Sequence, residues 1–328
     1  MVQALPVLRL LKRHRPDSEI FWWIDSHLAP LLEGDPDLSG VIPFERRRWA
    51  RPQHWPEMIR SIRRLREQKF DQVIDLQCLA RSGAFAWLAK GDFLIGLDEA
   101  REGARGFYDI AVRRPSFLTH AVDWYLCVLP HLGVPVHWRF DWLPERPPAA
   151  AAVKRKWLGE AGSTKWIALQ PGARWPTKRW PVEYFAELAR SLTNQFPDAR
   201  TVVLGDQEDR RLGEIISRAD PARCLNLCGL TSLPEMVECL RLCDLLITND
   251  TGPMHVAAAL GKPLVALFGP TEPRRTGPYG RLEDVLRVGL PCSPCFKSYC
   301  TYEQPNECLK ALDPATVLDL AQKKLRDH

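Results

Sequence analysis

No stretch of this chain approaches the roughly 18 to 20 apolar residues that a helix needs to cross a bilayer, so no membrane-spanning helix is expected. The amino end also lacks a basic segment ahead of its apolar residues. Met1-Val-Gln-Ala-Leu-Pro-Val-Leu-Arg-Leu-Leu-Lys puts Arg9 inside the run, which argues against a secretory signal and for a cytoplasmic protein. A surplus of one charge is missing too. The 45 basic and 40 acidic residues leave a formal charge of +5, too small a bias to mark a nucleic-acid binder.

What is present is ordinary globular composition, 45% hydrophobic and 26% charged, in 328 residues, more than one hydrophobic core usually serves. Two domains are therefore expected. Positive charge does cluster locally: Arg46, Arg47, Arg48 and Arg51, then Arg60, Arg63, Arg64, Arg66 and Lys69, beside Trp49 and Trp55. This reads either as a solvated helix face or as a docking surface for an anionic acceptor or membrane leaflet. Cysteine is plentiful at ten residues. Cys78, Cys127, Cys224, Cys228, Cys239 and Cys243 lie in apolar, periodic contexts that suit buried thiols. The other four form Cys292-x2-Cys295-x4-Cys300-x7-Cys308 in a Pro-rich segment.

The stretch 143–152, Leu-Pro-Glu-Arg-Pro-Pro followed by alanines, reads as a linker running into a helix and divides the chain into 1–147 and 148–328. Beyond it, short apolar strands at 166–170, 201–204, 224–227, 245–248 and 264–268 alternate with amphipathic helices at 182–192, 208–218, 233–242 and 254–260. That cadence predicts parallel βαβ units with right-handed crossovers. The first half repeats it less cleanly, with helices at 2–14, 55–68 and 82–89 and strands at 20–24, near Val41 and at 72–76. A doubly wound domain begins with a strand that feeds its first helix, yet here helical periodicity starts at once and without a capping residue. The first strand is therefore expected ahead of Met1.

Three segments carry chemistry. In Asp244-Leu-Leu-Ile-Thr-Asn-Asp-Thr-Gly-Pro-Met-His255, a strand ends in a polar turn and a helix follows immediately. Helix amides exposed at Thr251 and Gly252 suit a diphosphate. Asp250 would take ribose or sugar hydroxyls, or cap the helix; His255 would donate to a phosphate oxygen, or pack on the sheet. The second strand of that unit ends in Phe268-Gly-Pro-Thr271. The second segment, Gln170-Pro-Gly-Ala-Arg-Trp-Pro-Thr-Lys-Arg-Trp-Pro181, is a basic loop between strand and helix whose Arg174, Lys178 and Arg179 can close on phosphates, or, for Arg174 and Arg179 above all, belong to a solvated loop with Trp180 as a hydrophobic staple. In the third, Leu204-Gly-Asp-Gln-Glu-Asp209, Gln207 or Glu208 would accept from ribose or adenine, unless the segment is an ordinary N-cap.

Together these segments resemble glycosyltransferase family 9, the lipopolysaccharide heptosyltransferases and their relatives, whose hallmarks are Pro-Gly-Ala-x(n)-Lys-Arg-Trp-Pro and Asp-Thr-Gly-x-x-His. The likeness extends into the first half through Leu5-Pro6, Val73-Ile-Asp-Leu-Gln77, Arg81-Ser82, Ile95-Gly96, Ala100-Arg-Glu102 and His120-Ala-Val-Asp123. It implies a GT-B fold: two Rossmann-like α/β domains facing a cleft, the second holding the donor. It further implies a metal-independent, inverting transfer from an ADP-sugar to a lipid-linked or oligosaccharide acceptor, without cofactor, at the inner face of the inner membrane. By that likeness Lys178, Asp250, Thr251, Gly252 and His255 hold the donor. Ala173 and Arg174 stand where better-matching members carry two threonines, so Arg174 would substitute a charge for hydroxyl contacts.

In the family a strand, a small-residue loop and Gly-Asp precede a segment like Met1–Pro6, and that aspartate is the expected general base, which puts it ahead of Met1. Asp25 or His27 are weak substitutes. The four late cysteines suit a local structural element, reduced or bridged, or a structural zinc site, although their spacing departs from the paired-knuckle form. The competing functions are a nucleotide-sugar epimerase and a non-catalytic nucleotide-sugar-binding protein.

Overall fold

The computed structural model describes residues 1–99, 103–159 and 164–327, so the Ala100-Arg-Glu102 part of the family likeness lies outside the described residues. Contacts divide the chain into two compact units, Gln3–Pro144 and Glu145–His328.

In the first unit a 3-10 turn at Val2–Ala4 leads into α1 (Leu5–His14), and no side chain caps its start. Leu5, Val7, Leu8 and Leu10 form its buried face. Arg9, which breaks the apolar run in the sequence, reaches Asp35 at 2.5 Å and Asp37 at 2.7 Å. Burial opposes its charge, but those carboxylates more than offset this and raise its pKa. There follow β1 (Phe21–Asp25), β2 (Gly40–Phe44), α2 (Trp55–Glu67), β3 (Gln72–Asp75), α3 (Ala80–Leu88), β4 (Phe93–Asp98), β5 (Ile110–Arg113) and α4 (Ala121–Leu126). Among the described residues the strands make two separate parallel sheets, β1-β2 and β3-β4-β5. In the register, Phe21 lies opposite Gly40, Gln72 opposite Phe93 and Ile95 opposite Ile110. The sequence pattern did not predict β4 or β5. β4 is buried from Leu94 to Leu97 with no alternation to read, and Tyr108 fills the face opened by Gly96, where an added Cβ would come within 2.4 Å of its ring.

The second unit opens with α5 (Pro147–Val153), followed by β6 (Lys165–Gln170), α6 (Val182–Gln195), β7 (Ala199–Val203), α7 (Arg210–Ser217), β8 (Cys224–Asn226), α8 (Leu233–Leu242), β9 (Leu245–Asn249), α9 (Gly252–Ala259), β10 (Leu264–Phe268), β11 (Val285–Arg287) and α10 (Pro314–Arg326). Among the described residues its strands form one six-stranded parallel sheet in the order β11-β10-β9-β6-β7-β8. This is the doubly wound plan, with the chain reversing direction between β6 and β9. Phe185, Leu188, Ala189 and Leu192 recur at helical spacing on α6 and are fully buried, joining Ile167, Leu169, Ile247 and Val265 in the core. The Ser232–Glu235 capping box starts α8. The predicted helix at 208–218 starts at Arg210, because Asp206 caps a separate 3-10 turn over Gln207–Asp209.

Cys78, Cys224, Cys228, Cys239 and Cys243 are buried and Cys127 half-buried. Burial raises the Cys224 thiol to about 11 and the Cys228 thiol to about 12, so both stay protonated and unreactive.

Candidate functional site

The carboxyl ends of β6, β7, β9 and β10 in the second unit carry every donor-site residue expected from the sequence. β9 ends at Asn249, and Thr251 is the N-cap residue of α9 without making a side-chain cap bond. Its hydroxyl lies 3.2 Å from that of Thr248. Gly252 is exposed, and an added Cβ would meet nothing within 4 Å. The amide end of α9 therefore opens to solvent. Aligned peptide dipoles make such an end attractive to anions.

Asp250 does not cap this helix. It is buried, and its Oδ2 accepts from Lys178 Nζ at 2.6 Å and from the Thr271 hydroxyl at 2.7 Å. Three turns distant in sequence, after β6, β9 and β10, thus meet at one oxygen. Lys178 Nζ also sits 4.8 Å from the centre of the Trp175 ring. The lysine is a largely buried cation held by one carboxylate and one aromatic face.

The loop from Pro171 to Trp180 is fastened from below. Asn249 Oδ1 accepts from the Trp180 amide at 3.1 Å, and its Nδ2 donates to the Pro171 carbonyl at 2.8 Å. Arg179 Nε donates to the Ala173 carbonyl at 2.8 Å. Thr177 turns its hydroxyl away from Lys178, to the Lys297 carbonyl at 2.8 Å. Trp180 is a core residue whose Nε1 donates to the Leu312 carbonyl at 2.8 Å. Arg174 stays exposed on the loop. His255, half-buried, stands about one turn into α9.

Gln207 and Glu208 are exposed beyond the end of β7. Asp206 caps their turn, accepting from the Glu208 amide at 2.8 Å. Asp209 lies beneath, against Gly172 and Gly205; burial raises its pKa, and the charge of Asp206 adds to the effect. Sequence reading missed Asn249 and Asp209 as supports of the lysine loop, and no local signal marks them, because their partners are distant in sequence.

In the first unit, the Asp75 carboxylate ends β3 and accepts from the Ser82 hydroxyl at 2.7 Å and the Tyr108 hydroxyl at 2.8 Å. Burial, reinforced by the charge of Asp75, raises the Tyr108 pKa. Asp25, at the end of β1, lies 3.0 Å from His27 Nδ1. Cys292, Cys295, Cys300 and Cys308 carry free thiols and line one small cavity of about 20 Å³. Among the described residues, no group of three or more His, Cys, Asp and Glu side chains is arranged to hold a metal ion, and no helix is long and apolar enough to cross a membrane.

Two units of parallel sheet, with an open helix end above an anchored lysine, put this chain among the GT-B glycosyltransferases. The family description "Glycosyltransferase family 9 (heptosyltransferase)" matches residues 58–305. Lipopolysaccharide heptosyltransferase 1 of Pseudomonas aeruginosa is 30% identical over 325 residues, covering 95% of this chain and 87% of that protein. Lipopolysaccharide heptosyltransferase 2 of Salmonella typhimurium is 29% identical over 88% of this chain and 84% of its own length. The structure described as E. coli ADP-heptose lps heptosyltransferase II superposes with a TM-score of 0.79 at 25% identity, over 100% of this chain and 95% of that one. The chain belongs to glycosyltransferase family 9, the heptosyltransferases, and is a glycosyltransferase.

Proposed function

We propose that this enzyme transfers a heptose or a closely related sugar, with inversion and without a metal, from an ADP-sugar to the lipopolysaccharide core or a similar glycan. The observation that carries the reading is the Lys178–Asp250 pair beside the uncapped, exposed start of α9. As the glycosidic bond to the donor breaks, negative charge grows on the departing diphosphate. A pre-positioned cation and a row of helix amides stabilise that charge without reorganising. Arg174 adds a second cation, His255 a donor to a phosphate oxygen, and Gln207 or Glu208 an acceptor for ribose or adenine. In this reading residues 148–328 form the donor domain.

The acceptor hydroxyl must give its proton to a base. The names of the relatives, which include a solved E. coli heptosyltransferase with ADP, support the donor and acceptor classes. The enzyme works at the cytoplasmic face of the inner membrane. There, exposed Arg47, Arg60, Arg63 and Arg64, with Trp55 and Ile59 51% and 46% exposed, suit an anionic leaflet. Cosedimentation with anionic but not with neutral vesicles is the expected result; equal recovery with both rejects the contact.

Calorimetric titration with ADP, UDP and GDP tests the donor. ADP should bind tightest, and Lys178→Ala should weaken it about 10- to 100-fold by removing a charge-assisted contact. A preference for UDP or GDP rejects the ADP-sugar assignment. Release of ADP from ADP-heptose only when a lipopolysaccharide-core acceptor is present separates a transferase from a binding protein.

A further inference from the structure

We propose that residues 293–297 clasp the two turns that grip Asp250, and that Thr177 and Ser293 are thereby positioning residues for the donor diphosphate. The clasp rests on the reading of Lys178 and Asp250 as the donor's cradle.

Asp250 Oδ2 takes its two side-chain contacts from separate turns, Lys178 after β6 and Thr271 after β10. The chain just ahead of each is held from outside by the same short stretch. Thr177, which is buried, donates its hydroxyl to the Lys297 carbonyl at 2.8 Å. On the other side the Ser293 hydroxyl donates to the Gly269 carbonyl at 2.6 Å, and the Phe296 amide to the Pro270 carbonyl at 2.8 Å. Gly269 and Pro270 lead from β10 directly into Thr271. The tie continues past Thr271, where Arg287 Nη2 donates to Ser293 Oγ at 3.3 Å and Arg287 Nη1 lies 3.3 Å from Glu272 Oε2.

Phe296 adopts a φ of +55°, a left-handed conformation that is unfavourable for a bulky side chain and persists only where the surroundings hold it. Its own amide bonds one turn while the carbonyl of the next residue bonds the other, so the strained turn is the span of the clasp. Thr177 and Pro270 also border a common cavity of about 20 Å³, room for about one water, so the two turns are packed together as well as tied. The consequence falls on Lys178, which closes the single 3-10 turn Pro176–Lys178. Its ammonium sits on a long, flexible stem, and a cation stabilises a diphosphate to the extent that it is already in place when the ligand arrives. Freed from Lys297, the turn would sample more positions and ADP would have to order it. A tie that served only stability would lower the melting temperature and leave ADP affinity alone.

Calorimetric titration with ADP tests the clasp in the whole chain and its variants. Thr177→Val keeps the shape of the side chain and removes the donor; Thr177→Ser keeps the donor. Thr177→Val and Ser293→Ala should each weaken ADP about three- to tenfold, the range of one lost hydrogen bond, and Thr177→Ser should restore the parent value to within about twofold. Because the threonine acts through the lysine, Thr177→Val should weaken ADP no further once Lys178→Ala is present. Full ADP affinity in Thr177→Val or in Ser293→Ala overturns the clasp, as does a loss that Thr177→Ser fails to restore or one that adds undiminished to that of Lys178→Ala. If Lys178→Ala itself binds ADP as the parent does, the donor reading fails and the clasp falls with it, whereas a weakened Lys178→Ala beside an unaffected Thr177→Val rejects the clasp alone. Should Thr177→Val fail to fold, the half-buried Ser293 carries the test: Ser293→Ala should weaken ADP and Ser293→Thr should restore it, and equal affinity in the two overturns the proposal.

Discussion

In the second unit the strands β9 and β10 are buried at all five positions and β6 at all but its first, whereas β1, β2 and β3 bury one residue or none apiece. Side-chain chemistry does not explain the difference. Phe21-Trp-Trp-Ile-Asp25 is as apolar as Leu245-Leu-Ile-Thr-Asn249. A strand in a parallel sheet is buried by its neighbours and by the helices on both faces, so burial belongs to the completed layers and not to the strand. The deeper burial of the second unit's strands predicts different responses to equal substitutions.

The largest contrast should come from a pair of tryptophans. Trp180 is fully buried, meets Phe185 edge-on at 4.9 Å and bonds the Leu312 carbonyl. Trp180→Ala should cost about 3–5 kcal/mol, the range for emptying a well-packed aromatic site. Trp23 stacks on Phe44 at 4.2 Å but borders a cavity and is only half-buried. Trp23→Ala should cost roughly 1–2 kcal/mol. Denaturant titration with a separate probe in each unit measures both. Equal losses would mean that the first unit packs as tightly as the second.

How much of this was readable beforehand follows the same division. From Trp166 to Phe268 every strand and helix has its own apolar period, so the elements and their order could be read locally. β4, β5 and β11 could not, being short or buried on both faces and therefore without alternation. α10 does carry a local signal: Asp313 accepts from the Thr316 amide at 2.8 Å, and Pro314 opens the helix. At the site, Lys178 and Asp250 were legible as residues but not as a pair, because a contact across a sheet leaves no trace in spacing. The expected alternative of Asp250 as a cap fails for that reason. Its carboxylate is already engaged by a lysine and a threonine from two other turns.

A pair of glycines sharpens the comparison within the second unit. A Cβ on Gly172 would fall 1.9 Å from Asp209 Oδ2, so Gly172→Ala must displace either the carboxylate or the loop that carries Lys178. The expected cost is about 1–3 kcal/mol, with ADP affinity down roughly tenfold, the equivalent of 1.4 kcal/mol. Gly252 faces open space, so Gly252→Ala should leave stability within about 0.5 kcal/mol while still weakening ADP. Thermal melts with and without ADP distinguish the two. If Gly252→Ala binds ADP as the parent does, the start of α9 is not where the diphosphate lies.

The smallest expected effect is acid sensitivity confined to the second unit. Glu272 lies just beyond β10, with Arg274 Nε at 2.7 Å and Arg287 Nη1 at 3.3 Å. The Arg274 hydrogen bond outweighs the opposing effect of burial, and Arg287 adds to it, holding the carboxyl at about 2 against an ordinary 4.5. A folded pKa below the unfolded one means that this contribution is whole above about pH 4.5 and fades as the pH falls toward 2. Between about pH 5 and pH 3 the melting temperature of the parent's second unit should therefore fall further than that of Glu272→Gln, by about 2–4 °C. The first unit's melting temperature should respond to acid equally in parent and variant, since Glu272 lies in the other unit. Parallel pH curves for the second unit in both proteins would show that the two arginines hold Glu272 no more firmly than water does.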